Sequence, residues 1–446
     1  MREAIVMHTL SAKELKQKFG IEFKRDVNLS LFAGLAPFIA YLEKGQFLER
    51  LAELFSSKIK ARAIMQLCLG IIVGAQDMDE VERVAEDRLI KRYLGKSVCA
   101  TQLSRTFKGF AKSEVASLHE FTQALAILEI CNFVKKGDLL ELNIDSTAVL
   151  KFGEQEGVEA GYVEKDRIKP CYQFLLFHLQ NLNTFLYGTI RGGSAHSQNG
   201  FCGYLERFLP LFKGQWYLRI KADSGFYNEE AFAMMSQNRT TFFIKAPMSD
   251  SRRRQAGSSA IIWTPTKDDP KVSFGSYFNT PKDAGPWREV FKRIEADSWG
   301  NGHFVTYDYH CVATNDMLMK DEEVFPTYNS RAHIENNIKE LKEDYQLGRI
   351  VTDTFDANDV ITQAILITYI LVQHFKRALL DKGDQNKRLS TLRWRLFNIP
   401  GRGLLKAHRL WQRIYNAFCP QQLYARIYAR LIRLNTLLVS PPSLAP

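Results

Sequence analysis

The spacing of apolar residues changes character twice along the 446-residue chain. Up to residue 135, apolar positions recur at helical intervals, as in Phe47-Leu48-Leu51-Leu54-Phe55 and Ile64-Leu67-Leu69-Ile72. Such spacing gathers them on one helix face, so this region is expected to be mostly helical. From residue 139 the apolar runs become short and are bounded by turn residues. LLELNIDSTAVL reads as a strand carrying Asp145. YQFLLFHLQ (172–180) and TFLYGTI (184–190), separated by Asn181-Leu182-Asn183, read as a hairpin. Residues 196–212 then read as a helix, and WYLRIKADSGF (216–226) as a strand ending at Asp223, where Gly225 permits a sharp exit. A helix over 228–238 and a strand at TTFFIKA (240–246) complete an expected order β-β-β-α-β-α-β.

The second change comes at residue 247. SDSRRRQAGSSA is polar and reads as a loop, and AIIWTP, KVSFGSYF, REVFKRIE and HFVTYDYHCVAT are strand candidates separated by turns. Helices resume at Ser330 and run to a Pro-containing tail at 441–446. The fold class expected is α/β, a ribonuclease H-like mixed sheet interrupted by a β-rich insertion, with helical N- and C-terminal regions. The divisions are 1–135 (helical, DNA binding and dimerisation), 139–246 (first part of the core), 247–325 (insertion), 326–380 (second part of the core) and 381–446 (basic, helical).

Charge adds a partner to this picture. The net charge is +11, and residues 381–446 hold twelve Lys or Arg against two Asp. A concentrated basic region fits a polyanion, although a solvated helix face has the same composition. Within Asp77–Phe110, two short helices joined by a tight turn would resemble a helix-turn-helix, presenting Thr101, Gln102, Ser104, Arg105 and Lys108 to DNA; an ordinary helical bundle is the alternative. The seven cysteines form no C-x-x-C pair, which argues against a zinc site or disulfide framework. No signal peptide is evident, and the apolar stretch Val360–Val372 is too short for a bilayer and reads as a buried helix. A cytoplasmic, nucleoid-associated protein with no membrane partner is expected.

Three carboxylates stand where this order would bring them together: Asp145 on the first strand of the mixed region, Asp223 at the end of the fourth, and Glu335 on the helix after the insertion. The first and fourth strands are neighbours in a ribonuclease H-type sheet, an argument from fold analogy. Phosphodiester cleavage requires an activated water or 3′-hydroxyl and a stabilised leaving oxygen. Two Mg²⁺ ions roughly 3.5–4 Å apart meet both needs, and Mg²⁺ prefers carboxylate oxygens. Asp145 would bridge the ions, with Asp223 and Glu335 each holding one; Mn²⁺ could substitute. Around Glu335, Tyr328, Arg331 and Lys342 complete the pattern Y-x2-R-x3-E-x6-K. Arg331, Glu335 and Lys342 project within about 40° of one another on a helix, so Arg331 and Lys342 are expected to bind the phosphates flanking the cut, with Tyr328 also a DNA contact, and Ser330 is a plausible N-cap. The bland alternatives are solvated acids at strand ends and an i,i+4 ion pair between Arg331 and Glu335.

NIDSTAVLKFG (143–153), RIKADSGFYNEE (219–230) and YNSRAHIENNIKELKEDYQLGR (328–349) resemble the DDE transposases of bacterial insertion sequences, nearest to the family numbered thirteen-eighty. RGGSAHSQNG (191–200) resembles the turn after that family's third strand. The resemblance implies cut-and-paste movement of an element bounded by terminal inverted repeats. Its partners would be double-stranded DNA, at transposon ends and target, and a second copy of the chain in a synaptic homodimer. It also implies an aromatic residue of the insertion that holds a flipped base while a DNA hairpin forms; Trp263, Trp287 and Trp299 are the candidates, Trp299 first, with core packing as the alternative. His196 either assists the chemistry or shapes its turn. Lys221, two residues before Asp223 on the same face, either contacts DNA or pairs with a carboxylate. Arg252, Arg253 and Arg254 suit either DNA or solvent. Arg393, Arg395, Arg402, Lys406, Arg409 and Arg413 are phosphate-contact candidates, with Trp394, Phe397 and Trp411 on the buried side of their helices. A nuclease that does not rejoin DNA and a non-catalytic transposase-derived binding protein are the rival readings. A paired-carboxylate glycosidase leaves the basic tail and the Y-R-E-K row without a role.

Overall fold

The structure is a computed structural model that describes residues 13, 16–17, 26, 28–164, 167–281, 285–299, 304–406, 409–414 and 421–434. After a short strand β1 (Leu29–Ser30), the chain winds through helices α1 (Ala36–Lys44), α2 (Phe47–Glu53), α3 (Lys58–Val73), α4 (Met78–Ala85), α5 (Arg88–Leu94), α6 (Ala100–Lys108) and α7 (Lys112–Phe133). Local chemistry sets several of these starts. Ser57, Asp77 and Asp87 each accept a backbone N–H of the first turn that follows, which satisfies donors a helix leaves free. Asp87 begins an additional helix, α5, so the helix-turn-helix expectation gives way to three helices in sequence.

The sheet comes next: β2 (Leu139–Leu150), β3 (Glu159–Glu164), β4 (Arg167–Leu179), β5 (Thr184–Arg191), helix α8 (Phe201–Phe212), β6 (Tyr217–Ala222), helix α9 (Glu229–Gln237) and β7 (Thr241–Lys245). The pattern read from the sequence recurs here with β3 added. β4 and β5 pair as an antiparallel hairpin. β2 lies antiparallel to β4 and parallel to β6, which is parallel to β7. The central strand sorts its residues by face. Leu140, Leu142 and Ile144 enter the core, while Glu141, Asn143 and Asp145 form a polar strip on the other face.

The chain then forms a helix, α10 (Asp250–Ala256), where a loop was expected. Ser249 caps it, and the three arginines lie within it. Strands β8 (Thr264–Pro265), β9 (Val272–Asn279), β10 (Trp287–Trp299) and β11 (Phe304–Thr314) follow. They continue the same mixed sheet rather than forming a separate one, because β11 pairs with β7. Two further apolar clusters lie under this extension, one joining Phe243, Phe274, Val290 and Tyr328, the other Ala246, Ile261 and Phe291.

Helices resume earlier than expected, at Asp321. α11 (Asp321–Asn329) passes through a 3₁₀ turn (Ser330–Ala332) into α12 (His333–Glu343). Ser330 has helical dihedrals and its hydroxyl donates to the Thr327 carbonyl, so it joins two helices and is no N-cap. α13 (Phe355–Leu379) contains the Val360–Val372 stretch. It is long and apolar enough to cross a membrane, and is mostly buried within the fold. It packs against α3, α7 and β5. The N-terminal helices therefore share one apolar core with the sheet. Polar ties cross the same boundary: Tyr41 Oη lies 2.7 Å from His374 Nδ1, and Glu129 pairs with Arg377.

Residues 381–446 depart from the helical expectation. Gly401–Lys406 and Arg409–Ile414 form an antiparallel pair (β12, β13), with β12 also against β1, before α14 (Gln421–Arg433). Pro400 and Gly401 interrupt a helix at that point. A wide turn of π type at Arg393–Phe397 directs Leu396 and Phe397 inward and leaves Trp394 88% exposed, reversing its expected burial.

Candidate active site

The register of two strands makes the centre. Ile144 of β2 pairs with Ala222 of β6, so Asp145 and Asp223 take the next position side by side. Asp223 sits just past β6, where its Oδ1 accepts the Gly225 N–H at 2.9 Å, and Asp145 Oδ1 accepts the Ser146 N–H at 2.9 Å. Burial pushes the Asp145 carboxyl up to about 6; Arg331 opposes this and the Asp223 charge adds to it. A carboxylate in that position favours a nearby cation.

That cation is Arg331. Its guanidinium lies 3.3 Å from Asp145 and 3.7 Å from Glu335. Asp145 and Asp223 are thus brought together directly, while Glu335, its side chain 65% exposed, joins them through the arginine. Among the described residues, no group of three His, Cys, Asp or Glu converges closely enough to hold a metal ion. The donor chemistry nonetheless suits a hard divalent cation, since the acids offer oxygen alone and the Asp223 charge disfavours that of Asp145.

The neighbours of this centre differ from expectation in several places. Tyr328 is buried, its ring in the apolar cluster beneath the sheet extension and 6.0 Å from the Arg331 guanidinium. Lys342 is half-buried and donates to the Ala148 carbonyl at 2.9 Å, which ties α12 to β2. Lys221 is 0% exposed. Its ammonium reaches Ser330 Oγ at 2.6 Å, Gln180 Oε1 at 3.1 Å and Glu141 Oε1 at 3.2 Å. Of the two roles read for Lys221, these contacts give pairing with a carboxylate in place of contact with DNA: it is an internal strut between β6 and the turn that carries Arg331.

Other candidates lie away from the carboxylates. Arg105 is exposed on α6, while Lys108 on the same helix pairs with Asp353 at 2.5 Å. Trp287 is buried, and Trp263 lies under the Arg293 guanidinium at 4.4 Å. Trp299 ends β10, and its side chain lies outside the described residues, as do those of Lys406, Arg409, Trp411 and Arg413. Arg393 donates to the Ile71, Ile72 and Asp344 carbonyls, Arg395 pairs with Asp384 and Arg402 with Asp26, so all three have internal partners. Arg252 pairs with Glu289 across the Tyr227 ring. His196 is exposed in its turn. Arg191, whose part the sequence did not reveal, holds that turn by donating to the His196, Ser197 and Asn199 carbonyls and to Ser146 Oγ.

Paired carboxylates on adjacent strands of a mixed sheet, with an Arg–Glu helix beside them, form an all-oxygen donor set of the kind hard divalent cations take. The model of one family, described as the transposase DDE domain group 1, matches residues 49–436. The chain belongs to that family. A comparison with curated proteins gives no match. Among solved structures the chain is similar to the piggyBac transposase in its synaptic complex with hairpin DNA, determined by cryo-EM, at 11% identity and a TM-score of 0.41 over 92% of this chain and 86% of that one.

Proposed function

We propose that this transposase moves a bacterial insertion sequence by cleaving DNA at the element's terminal inverted repeats and joining the released ends to a target. The observation that supports this best is the β2–β6 register that sets Asp145 beside Asp223, with Arg331 and Glu335 next to them. In this reading the sheet from β2 to β7 with α12 is a ribonuclease H-like core, the helices before residue 135 recognise the element end, and β8–β11 belong to the insertion. Asp145, Asp223 and Glu335 are the residues that would hold two Mg²⁺ ions, or Mn²⁺ in their place. Bound there, the metal would favour deprotonation of the attacking hydroxyl and neutralise charge on the departing oxygen.

The protein's own groups do the rest. Arg331 balances Asp145 in the resting site and lies where it can turn to a phosphate beside the cut. Lys221 keeps the Ser330 joint, and so Arg331, against β6. The oxygen of water or of a 3′-hydroxyl forms the new bond to phosphorus as the bond to the leaving 3′-oxygen breaks. The attacking oxygen loses its proton and the leaving oxygen gains one. Joining two ends calls for two copies of the chain on DNA, and a protein acting on chromosomal DNA would reside with the nucleoid.

The test uses the full chain and DNA carrying its gene with the flanking sequence. Asp145→Asn is expected to abolish Mg²⁺-dependent cleavage while end binding in a gel shift stays intact. Unchanged cleavage would overturn the assignment. Cleavage without joined product from precleaved ends would identify a nuclease instead.

A further inference from the structure

Beyond the carboxylates, on the same face of β2, lies a pocket of about 580 Å³. It is within the size range of sites for small ligands, roughly 300–1,000 Å³. Its walls come from the end of β2, the loop after it and the turn after α12. Lys151, Phe152, Lys342 and Arg349 line it, and no acidic side chain does.

The two lysines are in an unusual position. Lys151 is 7% exposed, and its ammonium donates to the Gly348 carbonyl. Lys342 donates to the Ala148 carbonyl. Among the described residues neither forms an ion pair, nor does Arg349. Lys342 has the Asp145 charge acting on it, whereas Lys151 is removed from water with no acidic group beside it; that raises the free energy of the fold, and an anion in the pocket would relieve the cost. Phe152, at the rim, is 93% exposed. An aromatic ring held in solvent beside a cationic pocket has the two features that single-stranded nucleic acid uses, a flat apolar face for a base and positive charge for its phosphate.

We infer that this pocket is a nucleotide subsite for the strand leading to Asp145, in which Lys151, Lys342 and Arg349 receive a backbone phosphate and Phe152 stacks on an unpaired base. The inference rests on the reading of the chain as a DNA-cleaving transposase, and it gives that site a preference for frayed or overhanging ends. It also assigns base stacking to the loop after β2, on a different element from the tryptophans of the insertion.

The experiment measures binding of the full chain, by fluorescence anisotropy in EDTA, to two 30-base-pair duplexes from the DNA flanking the gene. One is blunt and the other carries a three-nucleotide overhang containing 2-aminopurine. The overhang is expected to bind about tenfold more tightly, with quenched 2-aminopurine emission. Phe152→Ala, at an exposed position, should remove both the preference and the quenching. Lys151→Met should lower the slope of log affinity against log salt by about 0.7, the value for one phosphate contact on single-stranded DNA. Equal binding of both duplexes, or quenching that survives Phe152→Ala, overturns the subsite while leaving the transposase reading intact. Failure to bind either duplex overturns both.

Discussion

Two lysines are buried beside the same central strand, and they have opposite surroundings. Lys221, on the polar strip with Asp223, has a carboxylate, an amide oxygen and a hydroxyl around its ammonium. Lys151, at the far end of β2, has a backbone carbonyl. Burial pulls both ammonium groups down from their ordinary range; Glu141 resists that for Lys221, and no acidic group does so for Lys151, which falls to about 8. A buried charge with a full set of partners holds structure together, whereas one with a partial set is poised for a ligand. Under the proposed nucleotide subsite, the contrast marks out the Lys151 end of β2 more narrowly than net charge does.

The largest effect should follow from removing the satisfied lysine. Lys221→Met leaves the half-buried Glu141 with Arg219 at 3.3 Å as its remaining charged partner and frees the Ser330 joint from β6. Loss of one member of a buried pair typically costs about 3–5 kcal/mol. Because Arg219 remains, the expected loss is near 3 kcal/mol on that scale, read as a shift of the urea midpoint. A loss under about 1 kcal/mol would show that Lys221 is no strut.

An intermediate effect is expected at the turn that supplies Lys151 with its acceptor. Gly348 has φ +70°, and a Cβ there would stand 2.8 Å from Val149 Cγ1. Gly348→Ala combines left-handed strain of roughly 1–2 kcal/mol with that contact. It should therefore destabilise the fold by about 2 kcal/mol and weaken overhang binding in parallel. Unaltered stability together with unaltered binding would separate this turn from the pocket.

The sequence made the central strand legible because its chemistry alternates. Glu141, Asn143 and Asp145 interleave with Leu140, Leu142 and Ile144, and period two assigns the faces without further knowledge. The same rule places Lys151 on the Asp145 face, a signal that was present but carries no meaning until burial is known. Lys221 was equally placed by period, yet its role depends on Glu141, Gln180 and Ser330, which come from three distant segments. Ser330 itself looked like a cap, because a Ser before a helical stretch is ambiguous when another helix ends there. The arginine helix at 250–256 had a readable cap in Ser249, outweighed by its polar composition. Trp394 faces solvent because a π turn widens the helix, a local change in period that hydrophobicity does not report.

The smallest effect on stability should come from the unsatisfied lysine, and its sign is informative. Lys151→Met keeps the side-chain volume, gives up one bond to the Gly348 carbonyl and removes a buried charge without a counter-ion. These terms oppose each other, so the net change should stay within about 1 kcal/mol. Titration gives a second readout. The ammonium has an ordinary value of 10.5 and falls to about 8 in the fold. Between those values the unfolded chain binds the proton and the folded chain does not, so this lysine makes stability rise as the pH climbs from about 8 towards 10.5. Below pH 8 both states are charged and its unfavourable contribution is fully present. The wild type minus Lys151→Met difference, measured by urea unfolding at several pH values, should carry that slope. A flat difference, together with a destabilisation matching Lys221→Met, would make Lys151 a second strut and erase the distinction between the two lysines.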